Sequence, residues 1–453
     1  MSRMTIGRDA AARGLVLTRR AALLAPLATL TGCGLWENWF GTKKVPLPGK
    51  RETVAAAQGN LAVDEGVPKV VLPPPVRNAA WPQAGGNPSH LMGHLQAGDR
   101  LAEAWNANIG AGGGYRQALM AHPVSDNGVI YTMDSAGLVS AFQVATGARL
   151  WQFDTTTDKD RSDNVGGGLA VDQGTLYAVN GLASLVALDA AKGSVHWRVS
   201  TGTSARSSPT VADGRLFLTT IDNRLLAFAT QDGRQLWAYQ AATSVTAVLG
   251  QSAPAYSAGF VVAGFGSGEL AALRADSGIV VWTDSLAGAR PGGTVADFST
   301  IRGLVTISNG IVYAVSVVRL MVALDLHAGR RIWEREVASE DSPWVADNWI
   351  FLVSLNQQIA AIARDDGRVA WVTQLPLWEN PEKQKDAITW FGPVLVSDRL
   401  VIAGTDRKAF SVSPYTGAVL GQQALSGAAA MGPMVVAGTV FIECDDGRLL
   451  ALR

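Results

Sequence analysis

Six times between residues 147 and 371 a glycine is followed four positions later by tryptophan, at the end of the same phrase. The pairs are Gly147–Trp151, Gly193–Trp197, Gly233–Trp237, Gly278–Trp282, Gly329–Trp333 and Gly367–Trp371. Subtracting successive tryptophan numbers gives spacings of 46, 40, 45, 51 and 38 residues. A period of this length is too long for an ankyrin or leucine-rich unit and matches one four-stranded propeller blade. Each phrase opens on a turn such as Asp213-Gly214 or Asn309-Gly310 and continues into a short apolar run. A second turn precedes an alternating strand such as Leu185-Val186-Ala187-Leu188-Asp189, and a third turn ends on the glycine before the tryptophan strand. Short apolar runs bounded by Gly, Asn and Asp are strands joined by tight turns. Asp189 and Asp325 stand where a side-chain oxygen can accept from turn N–H groups, and the glycine supplies a positive φ. The tryptophans are large and flat enough to fill the wedge between blades, so their role is packing.

Eight such phrases start near Asn127, Asp172, Asp213, Ala258, Asn309, Asp347, Asp398 and Ala437. The seventh has Gly421 where tryptophan belongs, and the eighth reaches Arg453 before its fourth strand. The run Leu101-Ala102-Glu103-Ala104-Trp105 supplies the missing strand from the other end. The expected fold is therefore all-β, an eight-bladed propeller of four-stranded antiparallel blades over residues 76–453. N- and C-terminal strands share one blade, which removes open edges.

Lys plus Arg and Asp plus Glu both number 38, so the balance offers no electrostatic case for nucleic acid. Residues 1–32 carry Arg3, Arg8, Arg13, Arg19 and Arg20 ahead of an apolar stretch too short to span a bilayer. This reads as a signal peptide. It closes on Leu30-Thr31-Gly32-Cys33, which resembles a bacterial lipobox and implies lipidation of Cys33. Thr18-Arg19-Arg20 also resembles a twin-arginine export signal; general export through a basic n-region is the alternative. Residues 33–75, rich in Pro, Lys and Gly, read as a lipidated tether.

The chemistry-bearing residues are few. With Cys33 assigned to lipid, Cys444 is the one remaining cysteine, expected to be buried. His90 and His94 have helical ligand spacing but are preceded by Asn87-Pro88 and separated by Gly93, so no metal site is assigned. Gly110-Ala111-Gly112-Gly113-Gly114 lacks the Lys-Ser/Thr of a phosphate loop and, like 166–168, reads as close backbone approach. No catalytic residue and no cofactor is assigned. Function is expected in loops, and the connections 284–302, 375–390 and 248–254 are the candidates.

The Ala-Leu-Asp-x-x-x-Gly-x-x-x-Trp phrase resembles the PQQ-type propeller repeat, which Trp81-Pro82-Gln83 also suits. The lipobox, the count of eight blades and Gly250-Gln251-Ser252-Ala253-Pro254 make the chain similar to BamB-type outer-membrane assembly lipoproteins. That resemblance implies a non-enzymatic, lipid-anchored protein on the periplasmic face of the outer membrane, monomeric within the β-barrel assembly complex. The implied partners are the POTRA domains of a BamA-like barrel subunit and unfolded outer-membrane protein clients. It places the partner surface on 246–251 and 297–303, here Thr246, Val248, Leu249, Gly250, Gln251, Asp297, Phe298 and Arg302. Leu249 replaces an expected basic residue, and Ile301 and Gly303 stand where acids are expected. Two other readings share the fold. One is a PQQ-dependent quinoprotein dehydrogenase, whose frequent adjacent-cysteine ring is missing from this sequence. The other is a periplasmic scaffold binding peptide or polysaccharide.

Overall fold

The computed structural model describes residues 61–114, 117–156, 164, 166–243, 250–287 and 300–453. Eight four-stranded antiparallel sheets follow one another in chain order, spanning 124–154, 167–200, 210–240, 255–285, 306–336, 344–374 and 390–424. The eighth joins 434–452 to Glu103–Asn108. We number these blades one to eight. In each, the innermost strand enters the second through a turn with a left-handed residue: Asn127, Gln173, Asp213, Ala258, Asn309, Asp347, Asp398 and Ala437 all have positive φ. The two middle strands carry the core. Leu185, Val186, Ala187 and Leu188 of blade two, for example, are fully buried.

The recurrent glycine and tryptophan meet between blades rather than within one. A Cβ on Gly193 would lie 2.7 Å from the Trp151 ring of the preceding blade, and a Cβ on Gly233 2.7 Å from Trp197. The contact repeats for Gly278 on Trp237, Gly329 on Trp282, Gly367 on Trp333 and Gly417 on Trp371. Each indole N–H also donates to a carbonyl of the next blade: Trp151 to Ala190 at 3.1 Å, Trp282 to Leu326 at 2.7 Å, Trp371 to Pro414 at 2.8 Å. The turn itself is held as its sequence predicts, with Asp189 Oδ1 accepting from Ala191 and Lys192 and Asp325 Oδ1 from His327 and Ala328.

Ring closure is the expected one. Glu103–Asn108 pairs antiparallel with Arg448–Leu452, placing Trp105 opposite Ala451 and against Gly147 of blade one. The seam between blades seven and eight lacks both the tryptophan and its glycine. Arg399 spans it instead, donating to the carbonyls of Gly98 and Asp99.

Two stretches differ from their sequence reading. Residues 375–390 hold a hairpin, Trp378–Asn380 with Lys385–Ala387. The end of the expected tether is not free, because it carries apolar and acidic groups that match the propeller wall. Leu61 and Val70 are buried, and Asp64 exchanges backbone and side-chain bonds with Val369 and pairs with Arg335 at 2.6 Å.

Candidate functional site

The innermost strand of a propeller blade has an unpaired edge facing the axis, and buried N–H and C=O groups must find partners. Residues 76–97 supply them, passing every blade in turn. Asn78 bonds Val435 and Ala437 of blade eight. Trp81 exchanges two 2.8 Å bonds with Ser125 of blade one, and Pro82 accepts from Val171 of blade two. The Gln83 amide makes a reciprocal pair with Val211 of blade three at 2.9 and 2.8 Å. Pro88 and Ser89 accept from Tyr256 and Ile307 of blades four and five, and the Trp344 indole of blade six donates to Gly93. Leu95 bonds Leu395 and Ser397 of blade seven, and Val76 meets Gln96 where the circle closes. We call this segment the belt.

Beyond the belt the connections entering the inner strands surround an axial pocket of about 110 Å³, open to solvent. Blades three to five contribute Arg206, Ser208, Gly250, Gln251 and Arg302, and blade six contributes Glu340 and Asp341. Of the sequence-predicted partner residues, the structure thus brings Gly250, Gln251 and Arg302 to one rim. A Cβ on Gly250 would fall 3.1 Å from Arg302 Nε, while Gln251 donates to Thr220 at 2.6 Å. Arg302 is ion-paired with Glu340. Thr246, Val248, Leu249, Asp297, Phe298 and Cys33, the residue expected to be lipidated, lie outside the described residues.

Ile301 and Gly303 explain their own departure from the expected acids. Ile301 is fully buried against Gly264, and a Cβ on Gly303 would lie 2.4 Å from the Asp341 carbonyl. Neither position faces solvent with room for a carboxylate.

Burial shapes the titration of the axis. It pulls His90 and His122 down to about 4 and pushes Asp341 up to about 7. The His90 Nδ1–H donates to the Val305 carbonyl at 2.7 Å, and His94 bonds Pro73 and Asp398. The two histidines thus serve backbone groups. Among the described residues no three His, Cys, Asp or Glu side chains converge to hold a metal ion. Cys444 is fully buried in blade eight, where burial pushes its thiol up to about 12. Gly110, Gly112 and Gly113 are close approaches, where a Cβ would strike Asp134 or Asp445, while a Cβ on Gly114 would meet nothing within 4 Å. Sequence reasoning missed the belt. Its one signal was Trp81-Pro82-Gln83, read only as a family trait.

The tryptophan–glycine seams, the shared closing blade and the axial rim define a PQQ-type eight-bladed β-propeller. A family model described as outer membrane protein assembly factor BamB matches residues 135–373, more than half of the chain. The chain belongs to that family. Outer membrane protein assembly factor BamB of Yersinia pestis is 26% identical over 356 residues, covering 77% of this chain and 88% of that protein. The crystal structure of BamB from Moraxella catarrhalis superposes with a TM-score of 0.66 at 19% identity, covering 78% of this chain and 99% of that one. Quinohemoprotein alcohol dehydrogenase from Comamonas testosteroni superposes at 0.62 with 14% identity, covering 83% and 81%. These two superpositions speak to the shared fold.

Proposed function

We propose that this chain is a non-enzymatic component of the β-barrel assembly complex. In this reading it is anchored through lipidated Cys33 on the periplasmic face of the outer membrane. It docks on the POTRA domains of the BamA-like barrel subunit and assists the assembly and insertion of outer-membrane proteins. Family membership supports the general role. The observation that carries the docking face is the meeting of Gly250-Gln251 and Arg302, from the connections before blades four and five, at one rim of the axis. The rim presents backbone, an amide and a guanidinium on a rigid scaffold, as a specific docking face requires. Net neutrality of the whole chain leaves recognition to shape and local pairing rather than to long-range steering.

The test is a mild-detergent pull-down of the tagged, lipidated chain from its own envelope, beside a variant carrying Leu249→Asp and Arg302→Glu. Recovery of the barrel subunit by the parent and its loss in the variant is the expected result. Equal recovery by both would move the docking face elsewhere. Absence of the subunit from the parent sample would sink the assembly role.

A further inference from the structure

The axial pocket contains polar groups that have no partner among the described residues. Arg302 already has a counter-ion in Glu340. Arg206 does not: its Nε is buried without a hydrogen-bond partner, and no carboxylate among the described residues pairs with it. Burial alone perturbs its guanidinium, and does so against the charged form. Ser208, only 3% exposed, lines the same pocket with an unpartnered hydroxyl. Gln251 donates through Nε2 to Thr220, yet its Oε1 is buried and accepts from nothing. A guanidinium with its Nε buried and unpaired and an idle hydroxyl call for an anionic oxygen, and an idle amide oxygen calls for a donor.

We infer that the axial pocket binds a small carboxylate that carries a hydrogen-bond donor on the neighbouring carbon. The carboxylate meets Arg206 and Ser208, and the donor meets Gln251 Oε1. Two sources share this chemistry: a free hydroxy acid, and the C-terminal residue of a polypeptide, whose last N–H stands beside its carboxylate. The pocket is open to solvent, so either can enter. This inference goes beyond the assembly role and does not depend on it.

Calorimetric titration of the purified chain at neutral pH, with L-lactate and with N-acetyl-L-alanine, tests it. Lactamide and N-acetyl-L-alaninamide serve as neutral counterparts. Saturable binding of at least one carboxylate is expected, at least tenfold tighter than its neutral counterpart. Lactate alone binding assigns a free acid, and tighter binding of N-acetylalanine assigns a chain terminus. Arg206→Gln should abolish the heat and Ser208→Ala should weaken binding several-fold, each checked for an unchanged unfolding midpoint. Should Arg206→Gln not fold, Ser208→Ala and Arg206→Lys carry the test. No saturable heat from either carboxylate, equal affinity for the neutral counterparts, or undiminished binding in the folded variants would overturn the inference.

Discussion

At the scale of single residues, the repeat is an agreement between one atom that is not there, the glycine Cβ, and one ring that is. Gly233 has φ +73°, and a Cβ on it would lie 2.7 Å from the Trp197 ring. Gly233→Ala meets both a backbone penalty and a clash, so it should cost about 2–4 kcal/mol in urea unfolding. Gly128, with φ +76° and nothing near its Cβ position, pays the backbone term alone and should lose about 1 kcal/mol. Two of the groups that burial shifts act on opposite limbs of the pH profile. The folded state holds His90 at about 4 against 6.5 unfolded, so it stays neutral while the unfolded chain takes up a proton. Stability is therefore lost as pH falls from 6.5 towards 4, by on the order of 3 kcal/mol. Glu443, 1% exposed with neither carboxylate oxygen bonded, is raised well above 4.5 by burial. Its contribution is fully present below pH 4.5 and is lost as pH rises through its raised value. Thermal unfolding across pH should show His90→Gln reducing the slope of the acid limb, with His122 supplying the part that remains. Glu443→Met should stabilise the protein at neutral pH and flatten the other limb.

At the scale of elements, strands and turns were legible because each blade repeats the same local conflict and resolution. Apolar runs must pair, Asx–Gly turns reverse them, and one glycine admits one tryptophan. The belt was not legible. Its bonds reach inner strands as distant in sequence as Val211 from Gln83 or Leu395 from Leu95, and nothing in its own composition encodes a circle. Its role predicts a specific loss. Gln83→Leu keeps the volume but strands the N–H and C=O of Val211, and should lower stability by about 2 kcal/mol. Gln240→Leu alters an amide on the exposed outer strand of the same blade and should change it much less. The comparison of their urea midpoints separates belt bonding from a general loss of amide contacts. The hairpin in 375–390 was read as a plain long loop, because its three-residue strands are shorter than any periodic signal.

At the scale of the whole molecule, closure is the feature on which cooperativity rests. Truncation before Arg448 removes the partner of Glu103–Asn108 and exposes two strand edges in the closing blade. Size-exclusion chromatography with light scattering should then show association, and the unfolding transition should broaden. A monomeric, sharply unfolding truncation would mean the remaining seams suffice. The axial rim was partly visible in sequence, since Gly250, Gln251 and Arg302 sit in connections marked by their length and their place between blades. Their convergence with Arg206, Ser208 and Glu340 was not visible, because ring geometry alone brings connections from different blades to one axis.

The sequence by itself determined the blade count, the strand order within each blade and the seam at which the ring closes. Those follow from local periodicity and from steric exclusion at a few glycines, and both are written residue by residue. Tertiary structure alone decided which polar groups face the axis, which of them find partners, and that residues 76–97 encircle it. Hydrogen-bond satisfaction and desolvation depend on what arrives from elsewhere in the chain, and arrival is a property of the closed ring.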